Sequence, residues 1–221
     1  DGPDTPKTYT IEQGSSVRAH EFAHGLVTGL TLSFNNDGCE VDGSFIGEAL
    51  TDGITMTSTP TEIALQPVMR TQVQVYAEDS AAALSGATAL ARVLSAEWSL
   101  TDRYAPVWTL NGTTTWDAFV ESEPTGEVKI MMEADAAGMG LLTTMRAGDT
   151  KFIRIEAVGP QIGAGPATYK LTIDTAVKIT DVSDIRDEDN IIAVEWTGQF
   201  THDSTWTKAF NISLINALTA L

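Results

Sequence analysis

The stretch Leu26-Val27-Thr28-Gly29-Leu30-Thr31-Leu32-Ser33-Phe34 decides the fold class. Leu26, Thr28, Leu30, Leu32 and Phe34 fall on one phase of a period of two, with Val27, Gly29, Thr31 and Ser33 on the other. That alternation marks a half-buried strand. Asn35-Asn36-Asp37-Gly38 has turn chemistry, so residues 40–46 read as the returning strand. Outward from this hairpin the same signature recurs in residues 68–77, 126–132, 151–158, 169–182, 191–201 and 207–217. Leu90, Leu94, Ala96, Trp98 and Leu100 also keep period two, which favours a strand there although Arg92 breaks the face. Residues 107–110 and 116–120 flank Asn111-Gly112 and read as a small hairpin. Thirty of the 221 residues are Thr, whose stiff β-branched side chain suits pleated backbone.

Two segments break the β pattern. Residues 133–146 form the best helix candidate, with Met139, Leu142 and Met145 on one face and Arg146 suited to the C-terminal end of the dipole. Gly138 and Gly140 weaken it, and Gly148 closes it. Residues 17–24 could form a short helix, capped by Ser15 or Ser16 and stopped by Gly25. Residues 1–16 read as an extended polar arm, and residues 47–67 as a long Thr-rich loop of the kind that is functional or ordered by a partner. No βα rhythm appears, so the expectation is about ten mainly antiparallel strands, a β-sandwich or barrel-like fold with one packed helix. The domain reading is an N-terminal arm, 1–16, followed by one β-rich domain, 17–221.

Acidic residues number 30 and basic residues 13, a net charge of −17, and the Lys and Arg are scattered singly. A groove that grips nucleic-acid phosphate needs clustered cations, and an anionic membrane surface needs them too. Neither partner fits this chain. No run approaches the ~18 apolar residues that span a bilayer, and no signal-peptide pattern is visible, though the chain begins at Asp1 without Met. Cys39 is the single cysteine, which excludes an internal disulfide and any multi-cysteine metal site.

The sharpest chemical string is His20-Glu21-Phe22-Ala23-His24. On a helix its two His would face the same way and could hold Zn²⁺, with Glu21 as general base of a metallopeptidase. The context is poor. Position 30, where an extended motif wants a third His, is Leu30; Glu40 and Glu48 fall in strand or loop; and strand pattern starts directly after Gly25. Exposed side chains on a short turn are the preferred reading. Residues 159–165 are glycine-rich but lack a following helix or a P-loop lysine, so a surface loop is preferred. Asp184, Asp187, Glu188 and Asp189 crowd one turn, yet Arg186 interrupts them, and a solvated turn is preferred over a calcium site. Trp98 and Trp196 lie on the apolar phase of their strands and read as core, whereas Trp108, Trp116 and Trp206 sit near turns and could anchor an interface. Glu195, Thr197, Gln199 and Thr201 form the polar face of one strand, and Glu97 that of another. The expectation is therefore no catalytic, cofactor-binding or metal-binding residue, no cofactor, and an assembly protein in place of an enzyme.

Four ordered stretches carry a resemblance. They are His24-Gly25-Leu26-Val27-Thr28-Gly29-Leu30-Thr31-Leu32, then residues 90–100, then residues 133–160, then Ala193-Val194-Glu195-Trp196 through Asp203 to residues 208–221. Together they resemble the major tail tube proteins of long-tailed bacteriophages, especially those of actinobacterial hosts. The resemblance implies a virion structural subunit, made in the host cytoplasm, that forms hexameric rings stacked into a tube. Residues 47–67 and the terminal arms would bridge subunits. The lumen would hold the tape-measure protein and then conduct duplex DNA without binding it specifically. Tail terminator and distal tail proteins would be further partners, with no membrane and no catalysis. A third possibility is a decoration or adhesion domain of a virion or cell surface.

Overall fold

The structure, a computed structural model, describes residues 6–48, 50–59, 65–110, 112, 115–188 and 190–218. The chain forms β1 (Tyr9–Gly14), β2 (Ala19–Asn35), β3 (Gly38–Ile46), β4 (Leu50–Asp52) and β5 (Val73–Glu78). It continues with β6 (Val93–Thr101), β7 (Tyr104–Val107), β8 (Ala118–Glu121), β9 (Thr125–Glu133) and α1 (Ala136–Ala147). Then follow β10 (Thr150–Gln161), β11 (Thr168–Val182), β12 (Arg186–Glu188), β13 (Ile191–Phe200) and β14 (Phe210–Ile215). The fold is mainly β with antiparallel pairing and one α-helix, as the sequence leads one to expect.

Where the sequence reading has one domain, backbone contacts cluster in two compact units. Unit 1 comprises residues 1–31, 42–65 and 100–125; unit 2 comprises 32–41, 66–99 and 126–221. In unit 1, β2 carries β1 on one edge (Glu12 opposite Glu21) and β4 on the other (Phe22 opposite Leu50). Its small core is Leu26, Tyr104 and Trp116, backed by Ile46 and Phe119. In unit 2 the strand order is β9-β13-β11-β10-β5, with β6 beside β9. One face of that sheet is apolar: Val128, Ile130 and Met132 of β9 stand beside Gly198, Trp196 and Val194 of β13, all buried. Ile153 and Ile155 of β10 continue it beside Thr175 and Ile173 of β11. The period of two that flagged these strands thus sorts their side chains into a core face and a polar face.

Several expectations are corrected. Residues 17–24 do not form a helix: from Ala19 they belong to β2. A helix of two turns is costly to nucleate, whereas His20 here pairs with Gln13 on one side and Asp52 on the other. The N-terminal arm is pinned over Tyr9–Gly14 as β1, and its residues 1–5 lie outside the described residues. Within residues 47–67, Leu50–Asp52 is strand, and residues 49 and 60–64 lie outside the described residues. The hairpin placed at 107–110 and 116–120 exists as β7–β8, with Tyr104 opposite Glu121 and Val107 opposite Ala118. The packing of Tyr104, Trp116 and Phe119 against Leu26 and Ile46 sets that register. Its connection is therefore longer than an Asn-Gly turn; Asn111 lies outside the described residues. The helix begins at Ala136, not at 133, because Glu133 ends β9. Among its described side chains Leu141, not Leu142, is the buried one, and Gly148 closes it at φ +70° as expected.

Candidate assembly surfaces

The His20-Glu21-x-x-His24 string is carried by a strand. Side chains four apart are about 13 Å apart along a strand and about 6 Å along a helix. The helical juxtaposition that the zinc reading requires is not present. A register shift separates the pairs Tyr9–Gly25 and Ile11–Phe22, and His24 takes φ +54° there. Among the described residues no group of three or more His, Cys, Asp or Glu side chains is placed to hold a metal ion. The glycine-rich segment starts inside β10 and ends in the β10–β11 turn, where the Ile162 N–H donates to the Ala167 carbonyl at 2.7 Å. In the acidic turn, Arg186 pairs with Glu188 at 3.7 Å, and the Asn190 N–H donates to Asp187 Oδ1 at 3.0 Å. These contacts are those of a charged hairpin; Asp189 lies outside the described residues. Cys39 is half-buried, and burial pushes its thiol pKa up, away from nucleophilic thiolate.

The tryptophans divide differently from expectation. Trp98 and Trp196 are fully buried, as their phase implies. The Trp98 indole donates to Thr175 Oγ1 at 3.0 Å, and its rings neighbour Phe200 and Phe210. Trp116 is not an exposed anchor: it is 8 % exposed and donates to the Gly47 carbonyl at 3.0 Å. Only tertiary packing around the β7–β8 hairpin could reveal this. Trp206 packs edge-on against Phe152. Trp108 alone of the three is widely exposed, at 61 %, with fully exposed Leu110 two residues on.

The polar face of the unit 2 sheet gathers the residues that the sequence marked. Lys129 of β9 pairs with Glu127 at 2.7 Å and with Glu97 of β6 at 3.4 Å. The two carboxylates, Glu127 first, raise the lysine's pKa against the opposing effect of burial. Thr197 of β13 stands opposite Lys129, and Gln199 opposite Glu127. Glu195 pairs with Arg186 at 3.1 Å. Ser33, Glu40, Glu97, Lys129 and Glu195 line one shallow depression of about 310 Å³. Carboxylates outnumber cations in it.

A different surface is apolar. Among the described residues β14 pairs only with β11, from Thr175 opposite Phe210 to Lys170 opposite Ile215. Its other edge is therefore open. Ile212, Leu214 and Ile215 are all exposed, Leu214 at 62 %. No charge occurs in residues 209–218. β3 also exposes Val41 and Phe45, but there the exposed charges Glu40 and Asp42 flank Val41. An exposed, apolar edge strand is a template for pairing, which natural proteins blunt with charge or cover with a partner. Sequence periodicity marks β14 as a strand, but not as an edge strand, because edge status is set by strand order.

A scan against protein-family models finds no match, and a search of curated proteins finds none either. Among the described residues no helix is long and apolar enough to cross a membrane.

Proposed function

We propose that the chain is a self-assembling structural subunit, the tail tube protein of a long-tailed bacteriophage, which forms hexameric rings that stack. The observation that carries this reading is β14: an open, charge-free edge with three exposed aliphatic side chains. A monomer that ends its work alone gains nothing from such an edge, whereas a polymer covers it. The mainly antiparallel fold and the ordered stretches of resemblance support the same reading. In the tube, the acidic polar face around Glu97, Glu127 and Glu195 suits a wall past which duplex DNA slides, because like charge prevents sticking. The tape-measure protein would fill the lumen before ejection, and terminator and distal tail proteins would cap the ends. The protein would be made in the host cytoplasm and reside in the virion.

Negative-stain electron microscopy of concentrated purified protein tests the proposal. Stacked rings or tubes are expected. Particles that stop at small closed oligomers at every concentration would instead favour a decoration or adhesion domain.

A further inference from the structure

Within unit 2, the end of β2, the start of β5 and the first half of β6 wall a cleft of about 490 Å³. Its floor is apolar, with Phe34, Val75 and Ala96 buried. Its rim carries the guanidinium groups of Arg70 and Arg92, and no carboxylate lines it. That composition is unusual in a chain with 30 acidic and 13 basic residues. Arg70 opens the short turn Arg70–Gln72, and its guanidinium meets Asn36 Oδ1 at 3.5 Å. Among the described residues it has no carboxylate partner. Arg92 adopts φ +57°, a left-handed conformation that side chains disfavour. It is held there from β9: the Glu133 N–H donates to the Arg92 carbonyl at 3.1 Å, and the Glu133 carboxylate pairs with the guanidinium. Two-thirds of the Arg92 side chain nevertheless remains exposed.

The cleft also borders a strand edge. β5 ends the strand order, pairing with β10. The Val75 carbonyl points away from β10 and is already taken by the Leu90 N–H at 2.8 Å, so side chains and not a free backbone edge would hold an incoming segment. We propose that this cleft is a docking site for an extended peptide segment in which carboxylates flank an apolar side chain. The apolar side chain would sit on Phe34, Val75 and Ala96, and the carboxylates would meet Arg70 and Arg92, the charge-assisted pairing that guanidinium favours. A polyphosphate is disfavoured, since it brings no apolar group for the floor of Phe34, Val75 and Ala96 and carries more charge against the net −17 than a peptide with two carboxylates.

The probe is a fluorescein-labelled peptide, Glu-Val-Asp-Gly-Ser-Phe-Ile, copied from residues 40–46 of this chain. Its counterpart has both carboxylates replaced by amides. Anisotropy titrations with the full chain should show the acidic peptide binding about tenfold more tightly than the amide form. Arg70→Gln combined with Arg92→Gly should remove about tenfold of that affinity; glycine suits the backbone at position 92 and keeps the fold. Should the double variant fail to fold by circular dichroism, Arg70→Gln alone should still weaken binding about threefold. Equal affinity for the two peptides, or affinity unmoved by the folded variant, would overturn the proposal. So would full displacement by millimolar inorganic phosphate, which would mark a simple anion site, or preference for a duplex DNA probe.

Discussion

Trp98 and Trp196 share a sheet and are both fully buried, but only Trp98 has a partner for its indole N–H. The two positions therefore respond differently to the same change. Trp98→Phe leaves the Thr175 hydroxyl, itself 1 % exposed, without its donor. Trp196→Phe removes a polar group that is already unsatisfied. Both lose ring volume, but orphaning a buried polar group costs about 1–3 kcal/mol more. Urea denaturation should rank Trp98→Phe as the more damaging of the two, and the reverse ranking would contradict the hydrogen bond. Gly126 gives a second residue-scale prediction. A Cβ there would collide with the ring of Phe200, which packs on both Trp98 and Phe210. Gly126→Ala should destabilise by about 1–3 kcal/mol through overpacking, read as a lowered Tm. Phase along a strand announced which tryptophans are core; it could not announce the Thr175 partner, 77 residues away.

Among the elements, β14 makes the clearest prediction for assembly. Leu214→Lys changes an exposed side chain on an open edge, so monomer stability should stay within about 0.5 kcal/mol. Polymerisation, followed by sedimentation, should fall sharply, because a charge on the edge blocks strand pairing. A variant that polymerises like the parent would remove β14 from the assembly contacts. β4 makes a pH prediction. The Arg18 guanidinium, 2.5 Å from Asp52, holds that carboxyl below its ordinary value. A depressed carboxylate stabilises the fold above its unfolded value, about 3.9, and loses this as pH falls through the folded value. Protection of the Gly53 amide, which donates to the Ala19 carbonyl, should thus be flat from pH 7 to 5 and drop only below about 4. Hydrogen exchange corrected for intrinsic rates checks it. Long strands such as β11 and β13 were legible because one core face repeats over many residues. The segment that became Ala19–Gly25 of β2 was not, since residues 9–14 read as a polar arm without strand periodicity and the second partner, Leu50–Asp52, lies about 30 residues on; pairing on both sides outweighs a local helical pattern. Glu97 and Glu195 were legible as polar-phase residues, but their pairing with Lys129 and Arg186 follows from strand order and a hairpin, which no local pattern encodes.

At the scale of the whole molecule, charge sets the conditions for association. A ring of six copies would carry 6 × −17 = −102 charges. Repulsion between exposed carboxylates extends about 8 Å at physiological salt and about 30 Å at 0.01 M. Assembly through uncharged edges should therefore strengthen as salt rises, measured by the sedimenting fraction. Affinity for duplex DNA should remain undetectable at both salt extremes in a filter-binding titration. Binding that tightens as salt falls would reveal counterion release from a cationic surface and would rule out a repelling conduit.

Trp108 has an optical consequence. Trp98, Trp116 and Trp196 are shielded from solvent, while Trp108 is 61 % exposed beside Leu110. A collisional quencher such as iodide should reach Trp108 far more readily than those three, and red-edge emission should come chiefly from it. Burial of that loop in a polymer would shift its emission to the blue and slow its quenching, so the chain carries its own fluorescent gauge of self-association.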